Sequence, residues 1–540
     1  MKKILIYGLS LVLMAVSSTS LTSCIDETQP TSGATEEQVQ QSAVATKGLL
    51  MAIPAYLNAN YFGTTRVDWA FGYGAMMHIR DCMTQDVAHV YSDYNQFSAW
   101  ATLLYIDRLY RNTQYLWNYQ MKLASTSNNL IAAVDSTTAT NEQLGYLAAG
   151  YAYRAMIYLD MAREYEFLDN DKTQPVSPEG NDISGLTLPI VDENTTEAQA
   201  RNNPRAKKAD MVAFILNDLQ RAEKWIGYLN LSDKTLPHLD AVYGLYARLY
   251  MWTENYPMAE KYARLAIDNA TTSPMTETDA LNTTTGFNDG TKWMWASQQT
   301  KESLYSNLAN WTSFLSCETY FGYGSTAASP IMIDASMYQR LSDSDWRKLM
   351  WKAPSGSPLY GKNTYVDNAL GAELPDYASL KFRPGEGNTD TYSIACVTDY
   401  PLMRVEEMYF IEAEAAAHQD AARGKQLLES FMKTYRDSKY SCKASSTDDV
   451  VEEIVFQKRI ELWGEGQTFF DIKRLNYPVV RGYAGTNHSE DERYNTTTRP
   501  CWMNWAFVLS EENGNAGLSG YNNPNPSSTY TPWTKLSPDI

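Results

Sequence analysis

The chain has 540 residues, with 45 Lys and Arg against 63 Asp and Glu and a formal charge of −18. A surface this acidic repels phosphate backbones and argues against nucleic acid as a partner. The length is ample for a large core and fits either several domains or one long helical solenoid.

The chain begins with Lys2 and Lys3, an apolar run from Ile4 to Val16, and Leu21-Thr22-Ser23-Cys24. A charged start, a short apolar core and a small-residue cleavage site make residues 1–23 a signal peptide. The run is too short to span a bilayer as a helix, which takes about 20 residues. Its last four residues resemble a bacterial lipobox, so Cys24 is expected to carry acyl chains. Several chains on one cysteine anchor stably, where a single chain binds only marginally. Residues 24–37 read as a polar tether. In it, Asp26 and Glu27 resemble the acidic signal that sends some lipoproteins of Gram-negative bacteria to the outer face of the outer membrane. No later apolar run approaches spanning length.

Residues 38–270 read as a helical region, with long amphipathic helices at about 36–57, 97–124 and 141–166. A Pro-, Gly- and Asp-rich excursion over 167–209 precedes a helix at about 211–229, capped by Asp210, and a helix pair at about 238–253 and 256–270. A motif repeats. Tyr151, Ala155 and Tyr158 share the spacing i, i+4, i+7 with Tyr243, Ala247 and Tyr250, and Ala259, Ala263 and Ala266 continue the second copy after Tyr256. A small residue between two large ones lets a neighbouring helix approach closely, as in a tetratricopeptide repeat. Tyr409 and Ala413 start a third, looser copy. The expected fold is mainly α: a tetratricopeptide-like helical repeat scaffold with a loop-rich, partly β central insertion.

That insertion is residues 271–400, rich in Thr, Ser, Asn, Gly and Pro, with a short strand expected at Trp293–Ser297. Residues 401–540 return to helices at about 402–418, 421–437 and 447–463, then an irregular tail from Tyr477. Cys82, Cys317, Cys396, Cys442 and Cys501 are widely spaced and form no CxxC, which gives neither a zinc knuckle nor a disulfide framework.

Glu453–Arg474 reads EIVFQKRIELWGEGQTFFDIKR. Gly464 and Gly466 permit a tight turn, and Phe469 and Phe470 pin the following helix. Arg459, Glu461 and Asp471 are expected in buried ion pairs across the turn. The segment closely resembles the C-terminal signature of the SusD/RagB family of outer-membrane nutrient-binding lipoproteins. RVEEMYFIEAEA (Arg404–Ala415) looks like that family's arginine-led helix. Thr84-Gln85-Asp86, followed by Trp100, Tyr105, Ile106 and Asn112, matches its N-terminal pattern. The resemblance implies a SusD-like α-α superhelix without catalytic activity, facing the cell exterior from a lipid anchor in the outer membrane. Such a protein captures glycans as a lid over a SusC-like, TonB-dependent β-barrel. Some members bind peptides instead, and a helical-repeat scaffold that binds only protein is the third alternative.

The resemblance places the ligand site on loops from two regions. Sugars need aromatic platforms edged by amides, carboxylates or guanidiniums. The first region offers Asp68, Trp69, Tyr73, Tyr91, Asp93, Tyr94 and Asn95. The second offers Trp293, Trp295, Tyr305, Trp311, Tyr320 and Tyr323. Phe71-Gly72-Tyr73-Gly74 recurs as Phe321-Gly322-Tyr323-Gly324, where the glycines can hold a tyrosine out on a turn. The chain has no HExxH, GxSxG, Walker or dinucleotide motif. The five histidines show no metal-ligand spacing, and neither a catalytic residue nor a cofactor is expected. Counting carboxylates does not exclude a glycosidase pair, and a calcium ion on surface carboxylates stays open.

Overall fold

The computed structural model describes residues 42–62, 67–230, 232–304 and 306–527. The signal peptide, Cys24, the tether and Tyr305 lie outside them. Among the described residues the architecture is mainly α, with 49% helix and 5% strand. None of the described helices is long and apolar enough to cross a membrane.

Helix α1 (Ala43–Tyr56) is capped by Ser42 and packs on α3 (Arg111–Ala132) and α4 (Asn141–Tyr165). A capping box of Thr140 and Gln143 starts α4. From α4 the chain stacks helix on helix through α5 (Lys208–Trp225), α6 (Leu239–Trp252), α7 (Tyr256–Asn269) and α8 (Val405–Gln419). Both α9 (Ala421–Tyr435) and α10 (Thr447–Glu461) pack on α8, and α11 (Thr468–Leu475) follows. The tyrosine–alanine stripes are interhelical packing. Ala155, Ala247, Ala259, Ala263 and Ala266 are fully buried, and Arg154 on α4 forks onto Asp218 on α5 at 2.7 and 2.8 Å.

The expected helix at 97–124 is divided. Ser98–Ala101 makes one helical turn, the chain then passes through left-handed Leu103 and Tyr105, and α3 starts at Arg111. The periodicity misleads because Trp100, Leu103 and Ile106 are buried by an irregular segment. Lys207, not Asp210, holds the N-cap position of α5, and Asp210 sits in its first turn, where a carboxylate favours the helix dipole. Helix α2 (Tyr73–Cys82) has no amphipathic stripe to announce it, because every one of its residues is buried.

Two small antiparallel sheets tie the insertion to the helices. Strand β1 (Val87–His89) pairs with β3 (Ile331–Ile333), with Val87 opposite Ile333 and His89 opposite Ile331. Strand β2 (Trp295–Gln298) lies two residues beyond the expected start and pairs with β4 (Asp399–Met403).

Candidate ligand-binding site

The signature forms a buried ionic hub. Glu461 accepts from Arg436 at 2.7 Å and from Arg347 and Arg404 at 3.1 Å each. Burial opposes its ionisation, yet these guanidiniums hold its carboxyl well below the usual range. Glu465, on the turn, takes Lys381 at 2.6 Å and Arg404 at 2.9 Å. Gly466 has φ of +69°, and a Cβ there would stand 2.6 Å from the Met77 backbone, so the turn is pressed against α2.

The expected ion pairs exist, but two of them reach away from the turn. Arg459 pairs with Asp86 at 2.5 Å, and Glu461 pairs with the three arginines; only Asp471 bonds across the turn, to Lys458 at 2.8 Å. Gly466 N–H donates to Asp81 and Trp463 Nε1 to the Asp86 carbonyl. Arg481 donates to the carbonyls of Cys82, Thr84 and Ala101. The signature and the tail thereby fix residues 81–101, from which the site loops emerge.

The two sequence regions meet beside β1 and β3. Val90 N–H donates to the Pro330 carbonyl, and Ser329 Oγ donates to that of Val90. The loop after β1 opens on a cleft of about 310 Å³. Tyr91, Asp93, Asn95, Thr102, Asp491 and Glu492 are among its lining residues. Tyr91 is 74% exposed, Tyr94 57% and Tyr105 56%. The Tyr105 and Tyr110 rings meet edge to face, with centroids 5.1 Å apart. Leu103 and Tyr105 both have positive φ, near +59° and +58°, a conformation that costs non-glycine residues energy and gathers at functional loops. Asn95 donates to Glu492 at 3.3 Å. Burial opposes ionisation of Glu492, but His89 and His488 hold its carboxyl below the usual range. The cleft thus combines amide, hydroxyl and carboxylate partners with exposed tyrosine faces.

The other sequence candidates divide by burial. Tyr91, Asp93 and Asn95 line the cleft, Tyr94 lies exposed on the same loop, and Tyr320 is exposed elsewhere, its hydroxyl 3.4 Å from Asp367. Trp293, Trp295 and Trp311 are 0% exposed, which corrects the expectation that they serve as platforms. Trp311 stacks on Tyr400, Trp295 packs edge-on against Tyr153, and Trp293 lies against Phe287. Tyr73 is buried too, donating to Asp160 at 2.5 Å. Trp69 is half-buried between Trp100 and Tyr115, and Asp68 is buried and accepts from the Tyr323 hydroxyl at 2.5 Å.

The repeated Phe-Gly-Tyr-Gly does not present tyrosines. Phe71 from one copy and Tyr323 from the other both stack on Phe314, and Gly322 is small because the Ser313 carbonyl lies 2.6 Å from where its Cβ would be. Leu104, Asp491 and Glu492 had no motif to mark them, and Tyr105 was marked only as part of the N-terminal family pattern, not as a site residue. The exposed tyrosines after Trp100 and the acidic run Glu490–Glu492 were the available signals.

A wider groove of about 690 Å³ lies between α3 and the 189–203 excursion, with Tyr56, Tyr61 and Met121 along it. It involves neither of the two site regions. A tighter cavity of about 210 Å³ is lined largely by paired charges, including Arg248, Glu407 and Lys458.

The model of the SusD family matches residues 245–528. Among solved structures, a SusD-like carbohydrate-binding protein from Bacteroides vulgatus is similar at 22% identity and a TM-score of 0.69, covering 89% of this chain and 98% of that one. A SusD superfamily protein from Bacteroides thetaiotaomicron is similar at 16% identity and a TM-score of 0.66, covering 89% and 100%. A SusD-like carbohydrate-binding protein from Bacteroides fragilis follows at 15% identity and a TM-score of 0.60, covering 88% and 99%. No curated protein matches the sequence.

Proposed function

The chain belongs to the SusD family, and from that premise we propose that it is a lipid-anchored surface protein that binds glycans and hands them to a SusC-like, TonB-dependent β-barrel. The observation that carries the reading is the exposed Tyr91 on a cleft lined by Asp93, Asn95 and Asp491, with Tyr94 and Tyr105 exposed on the chain segments that line it. Tyrosine faces take the flat C–H side of a sugar ring, and the polar edge takes its hydroxyls. The arrangement is that of a receptor, which needs only hydrogen bonds and stacking. Solved relatives described as carbohydrate-binding support the class of ligand. Affinity for short oligosaccharides is expected to be weak, because a shallow wet site loses interaction energy to ordering and desolvation. Long polysaccharides gain by avidity over many anchored copies.

Calorimetric titration against a panel of polysaccharides tests the reading. Wild type binds at least one glycan, and the triple variant Tyr91→Ala, Tyr94→Ala, Tyr105→Ala loses that binding while keeping its unfolding transition. The carboxylates Asp93, Asp491 and Glu492 also suit a basic peptide. Binding to cationic peptides with none to any glycan would move the protein to the peptide-importing branch. Co-purification of a large barrel in detergent tests the delivery step, and its absence from membranes that contain both proteins would refute it.

A further inference from the structure

Next to the cleft, three metal-ligating side chains converge. His78 and Cys82 stand one turn apart on α2, and His89 ends β1. Cys82 Sγ lies 3.6 Å from His78 Nε2 and 3.6 Å from His89 Nε2. Among the described residues this is the one group of three or more His, Cys, Asp or Glu whose ligand atoms all fall within 4.8 Å of one another. All three residues are buried. A tetrahedral zinc ion, with Zn–S of about 2.3 Å and Zn–N of about 2.0–2.1 Å, separates sulfur from nitrogen by about 3.6 Å. The observed spacings are the edges of such a polyhedron.

The surroundings fit the same chemistry. His89 Nδ1 lies 3.4 Å from Glu492 Oε2. A carboxylate on the far nitrogen of a ligand histidine fixes the tautomer that leaves Nε2 free for a metal. It also answers a charge requirement, since a divalent ion with one thiolate and two neutral imidazoles keeps one positive charge in a buried place. The spacing His78-x3-Cys82 puts two ligands on one helix face.

We propose that His78, Cys82 and His89 supply three ligands to zinc or a similar borderline-soft divalent cation, the fourth position being left to water, and that the ion ties α2 to β1 beside the binding cleft. On binding, the Cys82 S–H bond breaks, a metal–sulfur bond forms and one proton leaves to solvent. Both imidazoles enter neutral, and no electron moves. Because the thiol must lose its proton for the metal to bind, loading is expected to weaken in acid. The site stands apart from the glycan reading and does not depend on it.

The full chain, produced without a histidine tag, is unfolded, stripped with chelator and refolded with Co²⁺ or Zn²⁺. Wild type is expected to bind one metal ion per chain by mass spectrometry, to show a thiolate-to-cobalt charge-transfer band, and to melt at a higher temperature with zinc than without. Cys82→Ala, which keeps a small apolar side chain, loses the band, the stoichiometric metal and the thermal shift together. Absence of the charge-transfer band in refolded wild type overturns the proposal, whatever the variant does. So does a band or a full metal load that survives in Cys82→Ala.

Discussion

The signature hub and the cleft rim are built on opposite principles. At the hub, Arg347, Arg404 and Arg436 surround one buried Glu461, every member fixed by several partners. At the rim, Tyr91, Tyr94 and Tyr105 stand in water on short turns. The aromatic residues divide along the same line. The largest fully buried side chains include eight tryptophans, among them Trp293, Trp295 and Trp311, whereas every strongly exposed aromatic among the described residues is a tyrosine. Tryptophan has more apolar area to hide, and tyrosine keeps a hydroxyl that water accepts. In this chain the C-terminal signature lies in the buried frame, and the exposed aromatics are loop tyrosines.

The contrast can be broken at either end. Glu461→Ala leaves Arg347, Arg404 and Arg436 to share Asp345, Glu406 and Glu465 in the core and is expected to cost stability in the upper part of the ~3–5 kcal/mol range for a broken buried pair, read by urea unfolding. Unchanged stability with lost glycan binding would reverse the roles assigned to hub and rim. Trp311→Ala removes a buried ring stacked on Tyr400 and should cost about 3–5 kcal/mol, while the folded fraction binds glycan as wild type does. Tyr94→Ala should do the opposite, with stability within ~0.5 kcal/mol of wild type and affinity down about tenfold, or ~1.4 kcal/mol. The smallest effect is in the acid limb. Glu461 ionises in the folded state below its unfolded value, so the unfolded chain takes up that proton first as pH falls. Its stabilisation is full above about pH 4.3 and is lost below. In Glu461→Gln the decline of the unfolding free energy with acid should be shallower.

Much of the helical frame was legible because it is periodic. The Tyr151–Ala155–Tyr158 and Tyr243–Ala247–Tyr250 stripes announce interhelical contact by spacing alone, and the buried alanines deliver it. Periodicity fails where burial is not helical, as at Trp100, Leu103 and Ile106, and where burial is complete, as on α2. The exposure of Tyr91 and Tyr94 is legible in a polar, aromatic loop sequence. Trp311 was misplaced because composition cannot distinguish an aromatic that faces water from one that faces Phe382. Glu492 could not be found from local sequence, since its partners Asn95 and His89 lie about four hundred residues earlier in the chain.

The pairing of β1 with β3 joins residues as distant as Val87 and Ile333, and Glu492 closes the cleft from a third stretch. A cleft assembled this way exists only when all three stretches are present, so no fragment that lacks one of them keeps its lining. The same dispersal separates inheritance of the body from inheritance of taste. The exposed positions Tyr91, Tyr94 and Tyr105 can change while the buried Leu103, Ile106 and Glu492 beside them keep their contacts.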